Sequence, residues 1–192
     1  MTSTNDPLRI VAFSGNVQRP SKSRALAEAI ANAIARQLPA SVEQYDILDV
    51  QPGLGTALSR AELSPEALRV VEAIEQSDVL VVSTPTYKGS YTGLFKHLID
   101  FVDMKALAGR PVVISATGGA SRHALLIEHQ LRPLFGFFSA WTIPTGIFAE
   151  DRQFEGHVPT DPALLERIEL AARQVTAAFP RHRTLAEADS TG

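Results

Sequence analysis

Apolar residues in this chain gather into five short runs, and the stretches between them carry apolar positions at helical spacing. The runs cover residues 8–13, 42–47, 78–83, 111–115 and 141–148. The third run contains Val79-Leu80-Val81-Val82, which is continuously apolar and does not alternate with polar residues. This pattern is typical of a strand that is buried on both faces, as in a parallel sheet.

The intervening stretches predict five helices, over residues 21–38, 64–76, 90–102, 123–138 and 161–179. Ser64 followed by Pro65, and Asp161 followed by Pro162, are typical helix starts. Pro133 should end or kink the fourth helix, because proline lacks the N–H that an inner turn needs. Strands therefore alternate with helices, and right-handed crossovers predict a doubly wound three-layer α/β sandwich.

Composition narrows the class of protein. The chain has 192 residues, 45% of them hydrophobic, and a net charge of -3, which is typical of one globular domain. We expect that domain over residues 8–179, between a flexible N-terminus (1–7) and a polar C-terminal tail (180–192). No basic run suggests nucleic acid, and no apolar stretch approaches the about 20 residues of a membrane helix. The absence of cysteine excludes disulfides and thiolate sites and fits a cytoplasmic protein.

Ligands of doubly wound sheets bind beyond the carboxyl ends of the strands, so three loops are candidates for a site. The first, residues 14–23, opens a helix and offers the hydroxyls of Ser14, Ser21 and Ser23 with the charges of Arg19 and Lys22. Such a helix N-terminus suits a phosphate. The loop has neither the Gly-Lys-Ser/Thr ending of a Walker loop nor the Gly-x-Gly-x-x-Gly of a dinucleotide fold. A capped helix with a solvated loop is the alternative interpretation.

The other two loops suit a flat ring. In residues 84–93, Pro85 stiffens the turn, Gly89 and Gly93 let the backbone come close to a ligand, and Thr86 can bond the edge of a heteroaromatic ring. Residues 116–120 contain a glycine pair that can present peptide N–H groups. The alternative for the loop over residues 84–93 is a strand-to-helix turn with packed tyrosines, and the alternative for residues 116–120 is a simple tight turn. Together, the three loops predict a phosphate pocket beside a planar-ring pocket, which is the shape of FMN.

At these residues the sequence resembles the NAD(P)H-dependent FMN reductases of two-component flavin monooxygenase systems. The motifs are Ser-Gly-x-x-x-x-Pro-Ser-x-Ser, Thr-Pro-Thr-Tyr-Lys-Gly-Ser-Tyr-Thr-Gly and Ala-Thr-Gly-Gly, within a similarity over about residues 8–149. The resemblance implies a flavodoxin-like fold with a five-stranded parallel sheet of order 2-1-3-4-5, the cofactors FMN and NADH or NADPH, and a homo-oligomer (dimer or tetramer). It also implies delivery of reduced FMN to a partner monooxygenase, with sulfonate or sulfone sulfur assimilation as the setting. The flavin-binding residues that it implies are Ser14, Arg19, Ser21 and Ser23 for the phosphate, and Pro85, Thr86, Tyr87, Lys88, Gly89, Thr117, Gly118 and Gly119 for the ring.

His129 is the position at which the family divides. The alkanesulfonate-type enzymes carry a tyrosine in a π-helical insertion there, and this chain resembles the methanesulfonate-type branch, which tips the cofactor preference towards NADH. Pro133 independently predicts an irregular helix, because it leaves the carbonyl of His129 without its usual partner. We expect His129 to lie near a subunit interface and to modulate flavin retention; an ordinary packed histidine is the alternative. The helices over 90–102 and 123–138 are expected to bury apolar surface between subunits.

No residue is nominated as a catalytic acid or base, since in hydride transfer the flavin carries the chemistry and the protein positions it. The histidines show no metal-ligand spacing, and no Gly-x-Ser-x-Gly nucleophile elbow is present. Two other functions remain open on the same fold. One is a quinone or azo reductase with tightly bound FMN, and the other is a non-enzymatic flavodoxin that only carries electrons.

Overall fold

The computed structural model of the protein describes residues 7–51 and 53–180. The expected flexible N-terminus and polar tail lie outside the described residues, except for Pro7 and Pro180. The strands of the main sheet are β1 (Leu8–Ser14), β2 (Ala40–Asp46), β3 (Val79–Pro85), β4 (Pro111–Gly118), β5 (Trp141–Thr142) and β6 (Ile147–Glu150). A short antiparallel hairpin of β7 (Phe154–Glu155) and β8 (Val158–Pro159) follows.

The main sheet has the strand order β2-β1-β3-β4-β5, and all its pairings are parallel, as predicted. The prediction of five strands is wrong in one respect, because the fifth apolar run forms two strands. β5 pairs with the start of β4, and β6 pairs with its end, from Ser115 to Gly118. Pro144 lies in the interruption, where its missing N–H cannot contribute to the ladder.

The helices are α1 (Lys22–Ala35), α2 (Pro65–Gln76), α3 (Gly93–Ile99), α4 (Arg132–Phe137) and α5 (Pro162–Thr176). The predicted caps are present: the side chains of Ser64 and Asp161 accept hydrogen bonds from backbone N–H groups in the first turns of α2 and α5. The predicted fourth helix is broken into a 3₁₀ turn (Ser121–His123), a π-helical turn (Ile127–Leu131) and α4. Pro133 falls in the first turn of α4, where a missing N–H is tolerated.

Alternating residues of the strands supply two cores, one on each face of the sheet. Val11 and Phe13 point to the face covered by α2, α3 and α4, whereas Ile10 and Ala12 point to the face covered by α1 and α5. All four side chains are fully buried. The result is the predicted three-layer sandwich, with the carboxyl ends of β1, β3 and β4 at one edge. Among the described residues, no helix combines the length and the apolar character that crossing a membrane requires.

Candidate functional site

The loop after β1 is fixed to the loop after β3 through Gly15. The N–H of Gly15 donates to the carbonyl of Ser83 at 2.8 Å, and the hydroxyl of Thr92 donates to the carbonyl of Gly15 at 2.9 Å. A Cβ on Gly15 would lie 2.9 Å from the Cβ of Phe95 and 3.0 Å from Oγ1 of Thr84. The two loops approach this closely because residue 15 has no side chain.

A buried carboxylate, Asp46, anchors the other half of the first loop. Asp46 ends β2 with its side chain at 0% exposure, and it accepts both Nε and Nη2 of Arg19, at 2.7 and 2.8 Å. It also accepts Nη1 of Arg24 at 2.9 Å and the amide of Asn16 at 3.1 Å. The guanidinium of Arg19 contacts Asp49 as well, at 2.6 Å. The structure therefore places Arg19, which the sequence nominated for a phosphate, in the network that holds the loop.

These contacts shift the titration of the pair. Burial acts to raise the pKa of Asp46, but hydrogen bonds from Arg19, from Asn16 and from the backbone N–H of Leu48 outweigh burial and lower that pKa. Hydrogen bonds to Asp46 and Asp49 raise the pKa of Arg19 in turn. Both groups are therefore charged at neutral pH.

A lowered pKa in the folded state means that Asp46 contributes stability above its unfolded pKa of about 3.9, and that this contribution is lost as the pH falls through the lower folded value. We expect Asp46→Asn to lower the free energy of unfolding by about 1–3 kcal/mol at pH 7. The difference in this free energy between the variant and the parent protein should become smaller below about pH 4. Urea unfolding at several pH values measures both effects. The control is Asp49→Asn, whose carboxylate is 31% exposed and should matter less. A gap that stays constant down to pH 3 would contradict this account.

The remaining hydroxyls of the first loop turn inward. The side chain of Ser21 caps α1 by accepting the N–H of Arg24. The hydroxyl of Ser23, which is 1% exposed, lies 2.6 Å from that of Thr117 and so connects the first loop to the third. The hydroxyl of Ser14 is buried at the end of β1 and has no hydrogen-bond partner among the described residues.

The loop after β3 forms a tight turn that extends over the carboxyl edge of the sheet. Tyr87 and Ser90 exchange two backbone hydrogen bonds, and both residues between them have positive φ, 53° at Lys88 and 82° at Gly89. This is the geometry of a type I′ turn, which Gly89 adopts without strain. Tyr87 is 48% exposed, whereas Oγ1 of Thr86 is buried and has no partner within the described chain.

The loop after β4 lies against the second loop. The N–H of Thr86 donates to the carbonyl of Thr117 at 2.8 Å. A Cβ on Gly118 would lie 2.9 Å from Cζ of Phe148 and 3.2 Å from the unpartnered Oγ1 of Thr86. A Cβ on Gly119 would lie 3.6 Å from a carboxylate oxygen of Asp151, so the loop after β6 borders this position as well.

The three loops enclose a cleft of about 230 Å³. One side of the cleft is formed by residues around the start of α1. The second and third loops form another side, and the β7–β8 hairpin contributes one side chain. The lining residues are Asn16, Gln18, Pro20, Ser21, Lys22, Ser23, Pro85, Tyr87, Thr117 and His157. Of the residues nominated from the sequence, Ser21, Ser23, Pro85, Tyr87 and Thr117 thus lie together in the cleft.

The sequence did not nominate Asn16, Asp46, Asp151 or His157. Asp46 carries one signal in the sequence, because it is an acidic residue at the carboxyl end of a strand, at the edge where ligands of such sheets bind. Asp151 and His157 follow the last strand of the sheet, and only the folded chain shows that they approach α1. Within the described part of the chain, no group of three or more His, Cys, Asp or Glu side chains is placed to hold a metal ion.

The π-helical turn contacts the second loop through Gln130. The amide Nε2 of Gln130 donates to the carbonyl of Gly89 at 3.2 Å, and the hydroxyl of Ser90 donates to Oε1 of Gln130. The N–H of Arg132 donates to the carbonyl of Ile127, five residues earlier, so the helical irregularity that the resemblance implied is present. The side chain of His129 is exposed on this turn.

Comparison with known proteins identifies relatives along most of the chain. Residues 8–155 match the family model described as NADPH-dependent FMN reductase. The chain is 44% identical over 176 residues to the NADH-dependent FMN reductase SfnF of Pseudomonas fluorescens strain Pf0-1, covering 92% of this chain and 94% of that protein. It is 40% identical over 173 residues to an FMN reductase (NADPH) of Pseudomonas aeruginosa, covering 90% and 93%. Among solved structures, an oxidoreductase from Corynebacterium diphtheriae superposes with a TM-score of 0.81 at 34% identity, covering 90% and 97%.

Proposed function

This chain belongs to the family of NADPH-dependent FMN reductases, and we propose that the cleft described above is where it binds FMN. The chain is an oxidoreductase of the NAD(P)H-dependent FMN reductase type. In the proposed arrangement, the phosphate lies at the N-terminus of α1 near Ser21 and Ser23. The ring lies against the second and third loops, formed by Pro85, Thr86, Tyr87, Lys88 and Gly89 and by Thr117, Gly118 and Gly119.

The observation that carries this proposal is a set of unsatisfied groups at the cleft. Oγ1 of Thr86 and Oδ1 of Asn16 are buried and have no hydrogen-bond partner among the described residues. Buried polar atoms usually have partners, and these two atoms belong to a residue that lines the cleft, Asn16, and to a residue between two that line it, Thr86. They therefore support a ligand at this cleft. A Cβ on Gly118 would lie 3.2 Å from Oγ1 of Thr86 and 2.9 Å from Cζ of Phe148, so a residue without a side chain is needed here. A flat heteroaromatic ring with donors and acceptors on its edge fits this surface, and a phosphate fits the N-terminus of α1.

The protein's role in this chemistry is positional. FMN, when bound, supplies the hydride-accepting chemistry. The backbone of the second loop and the hydroxyl of Thr86 would orient the ring edge, while Gly118 lets the third loop pack against Phe148. Tyr87 lines the cleft and is half exposed, so its ring is available to contact a bound flavin. No side chain is assigned the transfer of a proton.

One experiment separates this function from its rivals. The purified protein is stripped of flavin, and NADH and NADPH oxidation is followed as FMN is added, with and without chelator. A reductase that uses FMN as its substrate shows saturation in FMN, full activity with chelator, and release of reduced FMN. A quinone or azo reductase would need only one FMN per site and a second acceptor. A flavodoxin carrier would oxidise neither nucleotide.

The preferred nucleotide and the recipient of reduced FMN are parts of the same proposal. The 44% identity to a protein named NADH-dependent supports NADH, and kcat/KM measured with both nucleotides tests it. We further propose that reduced FMN passes to a partner flavin-dependent monooxygenase, with sulfonate or sulfone sulfur assimilation as the setting. Oxygenase turnover that depends on this reductase would support this role. We also propose a cytoplasmic location, because an enzyme that consumes NADH needs a compartment that supplies NADH.

We also propose that the protein is a homo-oligomer. An apolar groove of about 450 Å³ lies between the α3 region and α4, and Met104 and Phe137 on its rim are 63% and 66% exposed. Exposed apolar side chains grouped in this way are typical of interaction surfaces. The groove lies between the two helical regions, over residues 90–102 and 123–138, that the sequence predicted to bury apolar surface between subunits.

Phe137→Asp is expected to shift the assembly towards monomers at micromolar concentration, because it places a charge in the apolar contact. Size-exclusion chromatography with light scattering measures the effect. Leu58→Asp is the matched control, since Leu58 is 89% exposed away from the groove and its replacement should leave the mass unchanged. A parent protein that is itself monomeric would end the proposal of an oligomer.

A further inference from the structure

The cationic side chains at the start of α1 are already engaged by carboxylates. Arg19 and Arg24 both contact Asp46, whose side chain is at 0% exposure. Releasing either arginine would take a charged partner away from a buried carboxylate, which is costly. These two arginines therefore belong to the loop's own structure and are not available to a ligand.

Lys22 is engaged differently. Its Nζ lies 2.8 Å from Oδ1 of Asp151 and 3.3 Å from the carbonyl of the same residue, and 5.7 Å from the centroid of the Phe154 ring. Asp151 is 61% exposed, so water can replace Lys22 at little cost when the pair separates. Lys22 also lines the cleft, beside Ser21 and Ser23. An anion that binds at the first loop can therefore separate the Lys22–Asp151 ion pair more easily than the pairs of Arg19 and Arg24 with Asp46.

We propose that Asp151 competes with the FMN phosphate for Lys22 and so lowers the affinity of the protein for FMN. The inference rests on the proposed function, because it takes the cleft as the FMN site. A phosphate at the N-terminus of α1 gains a charge-assisted hydrogen bond from Lys22 only when Lys22 leaves Asp151. The freed carboxylate then stays close to the phosphate and repels it. A reductase whose reduced flavin must leave benefits from such a restraint on retention.

Asp151→Asn preserves the shape of the side chain and removes its charge. We expect the Kd for FMN to fall about three- to fivefold, the range that an exposed ion pair supports. The Kd for riboflavin, which has the same ring but no phosphate, should not change. Fluorescence titration of the stripped protein with each flavin measures both constants without relying on turnover. The gain for FMN should shrink near 1 M salt, where the screening length is about 3 Å.

Two further variants make the result specific. Lys22→Met should weaken the binding of FMN but not of riboflavin. When Lys22→Met is already present, Asp151→Asn should lose most of its effect on FMN binding, because the two residues act through one contact. Glu155→Gln is the control, since it removes an exposed carboxylate from the adjacent hairpin and should leave both Kd values unchanged. Melting temperatures confirm that each variant is folded.

Several outcomes would overturn the inference. Weaker FMN binding by Asp151→Asn would show that Asp151 orients Lys22 towards the phosphate and does not compete with it. Equal changes for FMN and riboflavin would show that Asp151 shapes the ring site. If the parent protein binds FMN but Asp151→Asn does not differ from it, only this inference fails. If the parent binds neither flavin, the proposed function itself is wrong.

Discussion

Replacing Gly15 with alanine is expected to weaken FMN binding about tenfold or more and to lower the free energy of unfolding by about 1–3 kcal/mol. The new Cβ would lie 2.9 Å from the Cβ of Phe95 and 3.0 Å from Oγ1 of both Thr84 and Thr92. The Cβ of Phe95 belongs to a fully buried residue of α3, and the two hydroxyls bond the backbone of the loops. None of these atoms can move without displacing the first or the second of the three loops that enclose the cleft.

Gly93→Ala is the matched control for this prediction. The sequence suggested that Gly93 approaches a ligand, but Gly93 lies in the first turn of α3 and does not line the cleft. A Cβ on Gly93 would have no heavy atom within 4 Å. Alanine there should leave FMN affinity unchanged and stability equal or slightly higher, since glycine is the less favourable helix residue. Chemical denaturation and flavin titration of both variants give the comparison. If Gly15→Ala keeps the parent's affinity, the contact between the loops does not shape the cleft.

The hydrophobic pattern predicted the order of elements because the three central strands, β1, β3 and β4, are each buried at all but one position. A continuous run such as residues 79–82 has few other stable structures at that length. Hydrophobicity predicts one strand over residues 141–148, but the chain forms the two strands β5 and β6 there. Pro144 lies between them and has no N–H to donate to a strand ladder. The third helix was predicted over residues 90–102 but covers Gly93–Ile99, because Ser90 closes the turn with Tyr87 and Thr92 is the residue that precedes the first helical turn.

The candidate site was predictable at the level of loops but not of side-chain partners. Topology brings the carboxyl ends of β1, β3 and β4 together, so the three loops had to meet. Arg19 shows where this reasoning stops. Charge and position suggested a phosphate contact, but the partner that Arg19 contacts, Asp46, is 27 residues away in the sequence and lies buried at the end of β2. Which carboxylate an arginine reaches depends on rotamers and burial that sequence spacing does not contain.

The π-helical turn illustrates the same limit. The resemblance drew attention to His129, whereas the contacts seen within the chain are made by its neighbour, Gln130. Gln130 donates to the carbonyl of Gly89 and accepts the hydroxyl of Ser90, and so holds both sides of the turn at the proposed ring site. Lys88, inside that turn, has a φ of 53°, a conformation that costs a non-glycine residue about 1–3 kcal/mol and needs support.

Gln130→Ala is therefore expected to raise the Kd for FMN about tenfold, because two hydrogen bonds of about 0.5–1.5 kcal/mol each no longer hold the turn. The Kd for riboflavin should rise by the same factor, since we assign the turn to the binding of the ring and not of the phosphate. Gln130→Glu keeps the acceptor for Ser90 and loses the donor to Gly89, so it should lie between the parent and Gln130→Ala. Parent-like binding of both flavins by Gln130→Ala would show that the turn holds its shape unaided.

His129→Ala separates an effect within one chain from an effect between subunits. The side chain of His129 is exposed, so our prediction that it modulates flavin retention requires a neighbouring subunit. The hydrogen bonds of Gln130 lie within one chain and need no neighbour. In the Phe137→Asp background, where we expect monomers, Gln130→Ala should still weaken FMN binding while His129→Ala should lose its effect. If His129→Ala changes FMN affinity equally in monomer and oligomer, His129 acts on its own cleft and the intersubunit role is wrong. If it changes neither affinity, turnover nor assembly in the parent background, His129 has no part in flavin retention, and the contact between the π-helical turn and the ring site is made by Gln130.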